Sequence, residues 1–284
     1  MISPTVFDAL RETARNGEPD RYLAALLAAE PQRTALLAIA AFSAELRRIP
    51  AQVTNPTIGE IRLQWWRDAI DNFAPEHRTG NPVADTLADA VRAFNLPIAL
   101  LTAMTEARAF DLYDDPMPDD AACDGYLSKT EAVPFELAFR VVSARAPNTN
   151  EIAALAAVGR AYGLTRLTGD LPHWLVRGRC PLPSTTMTAA GATLELLRTG
   201  EKSQSASVLI QHLARDATAT YVAAKVQLLP WSRRDRVAVL PLALVPAYLK
   251  RTLAPGRHPL REPVELAPLM RVWRIAAGQI TGRL

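Results

Sequence analysis

Apolar residues along this chain recur at the three- and four-residue spacing of amphipathic helices, and no stretch shows the alternation of a strand. In residues 58–70 (IGEIRLQWWRDAI), for example, Leu63, Trp66 and Ile70 fall on one helical face. The predicted helical segments are 22–30, 31–50, 57–73, 82–94, 97–113, 125–143, 151–170, 189–199, 207–229, 235–253 and 264–280. Because no linker or internal repeat interrupts the pattern, we predict one all-α domain over residues 1–284.

Prolines and polar residues predict where several of these helices end. Pro50 is expected to stop the helix that starts at residue 31, and Pro134 is expected to kink or break the segment around it. Thr57 followed by Glu60 matches a capping box at a helix start. Residues 171–183 (LPHWLVRGRCPLP) hold three prolines and a glycine and are predicted to be a loop.

Composition restricts the functional class. Lys and Arg number 32 against 29 Asp and Glu, and a net charge of +3 is too weak for a nucleic-acid-binding surface. Cys123 and Cys180 form no C-x-x-C pair, so a zinc site or disulfide framework is not expected. The first ten residues lack the parts of a signal peptide, and the apolar run 237–249 is too short to span a bilayer. The sequence predicts a cytoplasmic protein.

Motifs of common chemistry are absent from the sequence. It has no phosphate-binding loop, no G-x-G-x-x-G, no H-E-x-x-H and no G-x-S-x-G, and its four histidines are scattered. The acidic pairs of 114–120 (DDPMPDD) fit a solvated turn better than a metal site. Asp85 and Asp89 share a helical face that points away from the apolar residues of their segment. Spacing alone therefore predicts no two-metal site.

Several stretches together resemble the squalene/phytoene synthase family. In chain order they are 33–52 (RTALLAIAAFSAELRRIPAQ), 58–70, 106–139, 157–183 (AVGRAYGLTRLTGDLPHWLVRGRCPLP) and 230–253 (PWSRRDRVAVLPLALVPAYLKRTL). Asp111 and Tyr126 match residues of the family's middle segment. The resemblance implies the isoprenoid synthase fold, an all-α fold around a central cavity for prenyl chains. It also implies two aspartate-rich motifs that hold Mg²⁺ against diphosphates.

The aspartate-rich motifs are where this sequence departs from the family. Arg47 and Arg48 stand where the paired aspartates of the first motif belong, and Ala51 stands at the later aspartate. In the second motif Asp170 is retained, whereas Trp174 replaces the last aspartate. Of the expected carboxylates only Asp170 remains, so no metal site is assigned. Mg²⁺ is expected only if the chain is an active enzyme.

The arginines at the first motif have two interpretations. Arg47 and Arg48 would bind a phosphate group by charge-assisted hydrogen bonds, which favours ligand binding over metal-driven ionisation. Alternatively, both are solvated near a helix C-terminus, where the helix dipole favours cations. Glu45 is expected to pair with one of them and to neutralise the mouth of the pocket.

The resemblance also supplies candidate site residues. The candidates for binding a diphosphate or other ligand are Arg47, Arg48, Arg166, Asp170, Arg177 and Arg179. The candidates for lining the cavity are Phe42, Glu45, Tyr162 and Thr165. Arg166 and Asp170 are four residues apart, so an intrahelical ion pair is the alternative for them. Arg177 and Arg179 are alternatively solvated loop residues, and Phe42 is alternatively a core residue.

Two functions remain open from the sequence. The loss of aspartates resembles one subgroup of the family, the assembly factors of respiratory complex I, and implies a non-catalytic assembly or binding factor. Its expected partners are complex I subunits, with peripheral contact to the inner membrane and a possible prenyl or lipid-like ligand, but no nucleic acid. The alternative is an active prenyltransferase of the isoprenoid, carotenoid or hopanoid type, with an altered diphosphate site.

Overall fold

Helices account for the regular structure of this chain. A computed structural model describes residues 4–74, 76–282 and 284. Its α-helices are α1 (Pro4–Gly17), α2 (Pro19–Ala25), α3 (Gln32–Gln52), α4 (Pro56–Asp71), α5 (Pro82–Phe94), α6 (Ile98–Ala107), α7 (Asp120–Leu127), α8 (Val133–Ser143), α9 (Thr149–Val176), α10 (Ser184–Ala189), α11 (Leu194–Thr199), α12 (Gln204–Gln227), α13 (Val245–Thr252) and α14 (Pro268–Thr281). The remaining helical segments are the 3₁₀ turns Arg108–Leu112 and Asp235–Leu244 and the π-helical turn Ser128–Ala132.

These elements confirm the predicted all-α class. Across the described ranges, the extended structure is one isolated β-bridge between Met117 and Pro183. None of the helices described is both long and apolar enough to cross a membrane.

Several predicted helix ends are wrong, and two of them have a local cause. Helix α3 continues through Pro50 to Gln52. Pro50 lies in the last turn, so the hydrogen bond and the space that its ring takes disturb only the end of the helix. Helix α4 begins at Pro56 rather than Thr57, because the side chain of Asn55 accepts the Thr57 N–H (2.9 Å) and caps the helix. Pro134 lies in the first turn of α8, where a proline is tolerated, directly after the π-helical turn.

The predicted loop 171–183 is also partly wrong, because α9 extends through Pro172 to Val176. Leu171 and Leu175 on this extension are buried in a small apolar cluster with residues of α11 and α12. Burial of these two side chains favours the helix and offsets the cost of the proline. Asp170 and Trp174, the retained and the replaced aspartate positions of the second motif, therefore lie on the same helix.

The core is built around α3 and α9. Thirteen residues of α3 are buried, so this helix is apolar on most of its circumference, as expected for a central element. Helix α9 passes close to the π-helical turn, and a Cβ added at Gly159 would lie 2.3 Å from the Cα of Ala132. Glycine at this position therefore lets the two backbones approach.

Apolar side chains fill most of the space between the central helices. Phe42 on α3 is fully buried, and its ring packs edge-on against Trp66 with centroids 5.0 Å apart. An apolar cavity between α2, α3 and α8, lined in part by Ala40, Phe135 and Ala138, holds about 20 Å³. That volume accommodates about one water molecule. Phe42 is thus a core residue here, as its alternative interpretation predicted.

Candidate ligand cleft

A polar cleft of about 710 Å³ opens between α1, α3 and α9. Its charged lining residues are Arg47, Arg48, Arg108, Arg177, Glu12, Glu45, Asp111 and Asp170. Both positions where the sequence departs from the aspartate motifs, on α3 and on α9, therefore face one cavity. Cations and carboxylates are equal in number, so the way they pair decides what the cleft offers a ligand.

Arg47 links the two motif positions. Its Nη2 donates to Asp170 Oδ2 at 3.0 Å, and its Nη1 donates to Glu18 Oε1 and to the Gly17 carbonyl, both at 3.3 Å. Burial lowers the pKa of Arg47, but the Glu18 and Asp170 carboxylates outweigh it and the pKa is raised overall. A permanent cation therefore lies between two carboxylates, one on α9 and one at the junction of α1 and α2.

Glu18 is the centre of a buried ion-pair network behind Arg47. Its side chain is 1% exposed and accepts hydrogen bonds from Arg166 at 2.9–3.1 Å and from Arg21 at 3.4 Å. Glu131 accepts from Arg21 at 3.0 Å and from Arg166 at 3.3 Å. Burial raises the pKa of Glu131, while the guanidinium of Arg21 opposes that shift. The network joins α2, α9 and the π-helical turn in the interior.

Arg166 therefore does not form the intrahelical pair with Asp170 that the spacing offered. Its guanidinium turns inward to Glu18 and Glu131, and Asp170 is neutralised across the cleft by Arg47 instead. A buried carboxylate is costly without a cation, so Glu18 takes the nearest guanidinium groups.

A second buried carboxylate, Asp20, lies beside this network. It accepts hydrogen bonds from the hydroxyls of Tyr162 (2.9 Å) and Tyr248 (2.9 Å), and Arg271 Nε lies 3.5 Å from its Oδ1. Burial raises the pKa of Asp20, while Arg271 and the two hydroxyls oppose the shift. Tyr162 thus holds a carboxylate and packs on Phe135 with ring centroids 5.5 Å apart.

The other candidate site residues lie outside the Glu18 network and form local contacts of their own. Arg48 donates to both oxygens of Glu45 at 2.8 Å, which is the pairing the sequence predicted for Glu45. Thr165 donates its hydroxyl to the Ala161 carbonyl (2.7 Å) within its own helix. Arg179 is buried, and its donors are taken by the backbone carbonyls of residues 111 and 112 at 2.6 and 3.0 Å. Arg179 therefore holds the end of the 3₁₀ turn Arg108–Leu112 beside the cleft.

Arg177 differs from the other cleft arginines because its guanidinium has no carboxylate partner, whereas Arg47, Arg48 and Arg108 each have one. Within the described residues its side chain forms no hydrogen bond or ion pair, although its backbone N–H donates to the Trp174 carbonyl at 3.0 Å. Partial burial and the nearby Arg179 and Arg47 guanidinium groups lower its pKa. Repulsion from cations marks a locally positive potential, so this corner of the cleft is where an anion would be attracted.

Several residues of the network were not singled out from the sequence. They are Glu18, Asp20, Arg21, Arg108, Glu131 and Arg271. Arg108 donates to Asp111 Oδ2 (3.0 Å) and to the Tyr126 hydroxyl (2.8 Å), and its Nη2 is buried without a hydrogen-bond partner. The sequence does contain a pattern that could have identified some of them, because charged residues lie directly beside apolar helical runs in PDRYLAALL and KTEAVPFELAF. Charges in such positions are buried only when they are paired.

The residues present do not fit the Mg²⁺ cluster that the resemblance implies. Mg²⁺ requires oxygen ligands, and Asp170 already has a cation in Arg47. In the part of the chain that the structure describes, no group of three or more His, Cys, Asp or Glu residues could hold a metal ion. The two cysteine thiols are poor nucleophiles, because burial raises the pKa of Cys123 to about 12 and that of Cys180 to about 11.

Comparison with known proteins confirms the fold and the resemblance. The chain is 27% identical to "NADH dehydrogenase (ubiquinone) complex I, assembly factor 6" of Bos taurus over 172 residues, which cover 61% of this chain and 51% of that protein. It is 27% identical to "Bifunctional protein CrtB/UppS" of Streptomyces coelicolor over 186 residues, covering 63% of this chain and 31% of that one. The chain thus spans about half or less of the length of these curated relatives.

A solved dehydrosqualene synthase with bound ligand superposes with a TM-score of 0.79 at 15% identity, covering 98% of this chain and 97% of that one. Such a likeness shows the isoprenoid synthase fold and not the activity. The sequence model of squalene/phytoene synthases matches residues 14–271. The chain belongs to the squalene/phytoene synthase family.

Proposed function

We propose that this chain is a non-catalytic member of its family that acts as an assembly or binding factor for respiratory complex I. The observation that carries the proposal is the Arg47 guanidinium between Glu18 and Asp170. Ionisation of an allylic diphosphate places negative charge on the leaving group, which metal ions stabilise as Lewis acids. A guanidinium already neutralised by two carboxylates does not supply that stabilisation.

The filled interior supports the same conclusion. Prenyl chains need a long apolar cavity, whereas the cavity between α2, α3 and α8 holds about 20 Å³. Charged side chains of the Glu18 network occupy the space behind the cleft. The proposal places the chain in the cytoplasm, peripheral to the inner membrane and in contact with complex I subunits. Support for those partners comes from the mammalian relative, which is named as an assembly factor of complex I.

An active prenyltransferase with an altered diphosphate site is the second candidate. One observation favours it: the cleft is open, with a volume of about 710 Å³, and Arg177 on its wall lacks a carboxylate partner. The relative named CrtB/UppS is consistent with this candidate. Under this alternative a prenyl or lipid-like diphosphate would bind at Arg177.

Two measurements on the full chain separate the candidates. The first is Mg²⁺-dependent release of diphosphate from farnesyl and geranylgeranyl diphosphate, with a dehydrosqualene synthase as positive control. We expect no turnover from the folded protein. Turnover that Asp170→Ala abolishes would establish the enzyme and overturn the proposal.

The second measurement is the amount of assembled complex I in cells that lack the gene. We expect complex I to fall, and both the wild-type gene and Asp170→Asn to restore it, because the proposed role needs no metal ligand at that position. Normal complex I in the deletion strain would refute the assembly role.

A further inference from the structure

The last helix of the described fold turns an apolar face to solvent. Leu269, Trp273 and Ile280 on α14 are 79%, 67% and 69% exposed. Together with Ala276 they follow the spacing of one helical face, and the opposite face is buried through Ile275 and Gly278. A surface helix normally shows its polar side to water, so this arrangement exposes apolar area that a partner would cover.

A second apolar stripe ends beside it. Val222, Val226 and Leu229 are exposed along the C-terminal part of α12 and just beyond it. Arg236 donates to the Leu229 carbonyl at 2.9 Å and to the Gly282 carbonyl at 3.1 Å, so the ends of α12 and α14 lie next to each other. We define the C-terminal apolar face as seven exposed apolar residues on α14 and at the C-terminal end of α12: Val222, Val226, Leu229, Leu269, Val272, Trp273 and Ile280.

Cations surround this face and lack carboxylate partners. The Lys225 ammonium lies 5.3 Å from the centre of the Tyr221 ring. The charge of Arg274 lies close enough to Tyr221 to oppose the rise that burial causes in the pKa of its hydroxyl. Arg233 donates to the Gln279 carbonyl at 2.9 Å. Within the described residues none of the three forms an ion pair with a carboxylate.

The sequence carries the same charge bias. Residues 225–284 hold 11 Lys and Arg against three Asp and Glu, although the whole chain holds 32 against 29. Helix α14 itself contains two arginines and no acidic residue. The positive charge of the molecule is therefore concentrated in the segment that also exposes the apolar stripe.

We propose that the C-terminal apolar face docks on an anionic lipid surface, with α14 lying in the plane of the interface. A helix of 14 residues is about 21 Å long, which is too short to cross a hydrocarbon core of about 30 Å. An exposed tryptophan with aliphatic neighbours and flanking arginines is the composition of an interfacial helix. The unpaired cations match the negative potential of such a surface.

The fold holds α14 in the docking orientation. Arg271 on its inner face lies 3.5 Å from the buried Asp20, and Arg233 and Arg236 bind the carbonyls of Gln279 and Gly282 at its end. Because these contacts fix the helix with its apolar side outward, docking requires no unfolding and the helix is ordered before it meets the lipid.

Flotation of the full-length chain with vesicles tests this proposal. The vesicles are pure phosphatidylcholine or phosphatidylcholine mixed with phosphatidylglycerol, at low and at high salt. We expect binding to the anionic vesicles, weakened by salt. The double variant Leu269→Ser/Trp273→Ser is expected to lower the partition coefficient at least about tenfold. Lys225→Gln and Arg274→Gln are each expected to lower it about fivefold on anionic vesicles.

The matched control is Ile61→Ser. Ile61 is 65% exposed on α4, but that helix carries Glu60, Asp68 and Asp71 beside its arginines. We expect this variant to bind vesicles like the wild type. Brominated lipids add a second measurement: quenching of tryptophan fluorescence is expected for the wild type and lost in Trp273→Phe, even though that variant still binds.

Three outcomes would overturn the proposal. They are no binding to anionic vesicles, equal loss of binding in Ile61→Ser, and a dimer in solution that Leu269→Ser/Trp273→Ser dissociates, since the face would then be a protein interface. The proposal takes its biological setting from the proposed function, but the two fail separately. Vesicle binding by a chain whose deletion leaves complex I intact would refute the function and keep the docking face.

Discussion

Arg47 Nη2 lies 3.0 Å from Asp170 Oδ2, and this contact joins the two positions at which the family resemblance expects facing carboxylates. On one side the carboxylate survives, and on the other a cation has replaced it. The same guanidinium also reaches Glu18, which belongs to neither motif. The substitution therefore does more than delete a ligand, because it supplies the counter-charge for the carboxylates that remain.

Removal of Arg47 is expected to destabilise the fold. Arg47→Ala leaves Asp170 unpaired and removes one of the cations of the buried Glu18, while Arg166 and Arg21 still hold Glu18. We expect the free energy of unfolding in urea to fall by about 1–2 kcal/mol. Arg48→Ala is the control, since Arg48 is half-exposed and pairs with Glu45, and it should cost less than about 0.5 kcal/mol. Equal losses for the two variants would contradict the special role of Arg47.

Two glycines test the packing of α9. In Gly159→Ala the new methyl group would lie 2.3 Å from the Ala132 backbone, so the π-helical turn must shift. We expect this variant to lose about 1–3 kcal/mol of unfolding free energy. Gly125→Ala on α7 meets nothing within 4 Å and should be neutral or gain about 0.4–1 kcal/mol by restricting the unfolded chain. A neutral Gly159→Ala, measured by urea unfolding, would show that the contact is looser.

The buried Asp20 predicts a pH dependence. Because its pKa is raised above the ordinary value of 3.8, the folded chain holds the proton to higher pH than the unfolded chain does. The contribution of Asp20 to stability is therefore complete below pH 3.8 and is lost as pH rises through the raised pKa. The difference in unfolding free energy between wild type and Asp20→Asn should fall with pH in that window, by at most about 1.4 kcal/mol per pH unit.

That difference isolates Asp20 from the other carboxylates, which titrate in both proteins. Urea unfolding at a series of pH values measures it. A difference that rises with pH would mean that Arg271 and the two tyrosine hydroxyls outweigh burial at this site.

The thiols are expected to be inert in the native protein. Cys123 and Cys180 are each 2% exposed, and their raised pKa values leave little thiolate at pH 8. Alkylation by iodoacetamide should be more than about 100-fold slower in the native chain than in guanidinium chloride, where both thiols should react. Rapid native labelling of either cysteine would reopen a nucleophilic role for it.

The helices were largely predictable because burial repeats at helical spacing, as in the Leu63–Trp66–Ile70 face of α4. Helix α1 was not among the predicted segments. Its contact with α3 depends on Gly17, whose added Cβ would lie 2.4 Å from the Cβ of Ala44. The segment did carry a helical pattern, because Leu10 and Ala14 are four residues apart and both are buried. The contact with α3 joins residues distant in sequence, so only the fold shows it.

The site was half predictable for a related reason. The replacement at Arg47 is visible against the family motif, but its partner Glu18 lies 29 residues away in the junction between α1 and α2. Arg166 illustrates the limit, since spacing offered Asp170 as its partner and the fold supplied Glu18. Local spacing describes which charges share a helix face, whereas desolvation in the interior decides which of them pair.

A bound metal ion is an exchangeable component, which chelators, competing ions or scarcity remove from a protein. The cation between Glu18 and Asp170 is instead covalently part of the chain. The Arg47 guanidinium is present in every copy of the chain, whatever the ion content of the medium. The positive charge between Glu18 and Asp170 is therefore encoded by the gene and does not vary with the divalent-ion supply of the cell.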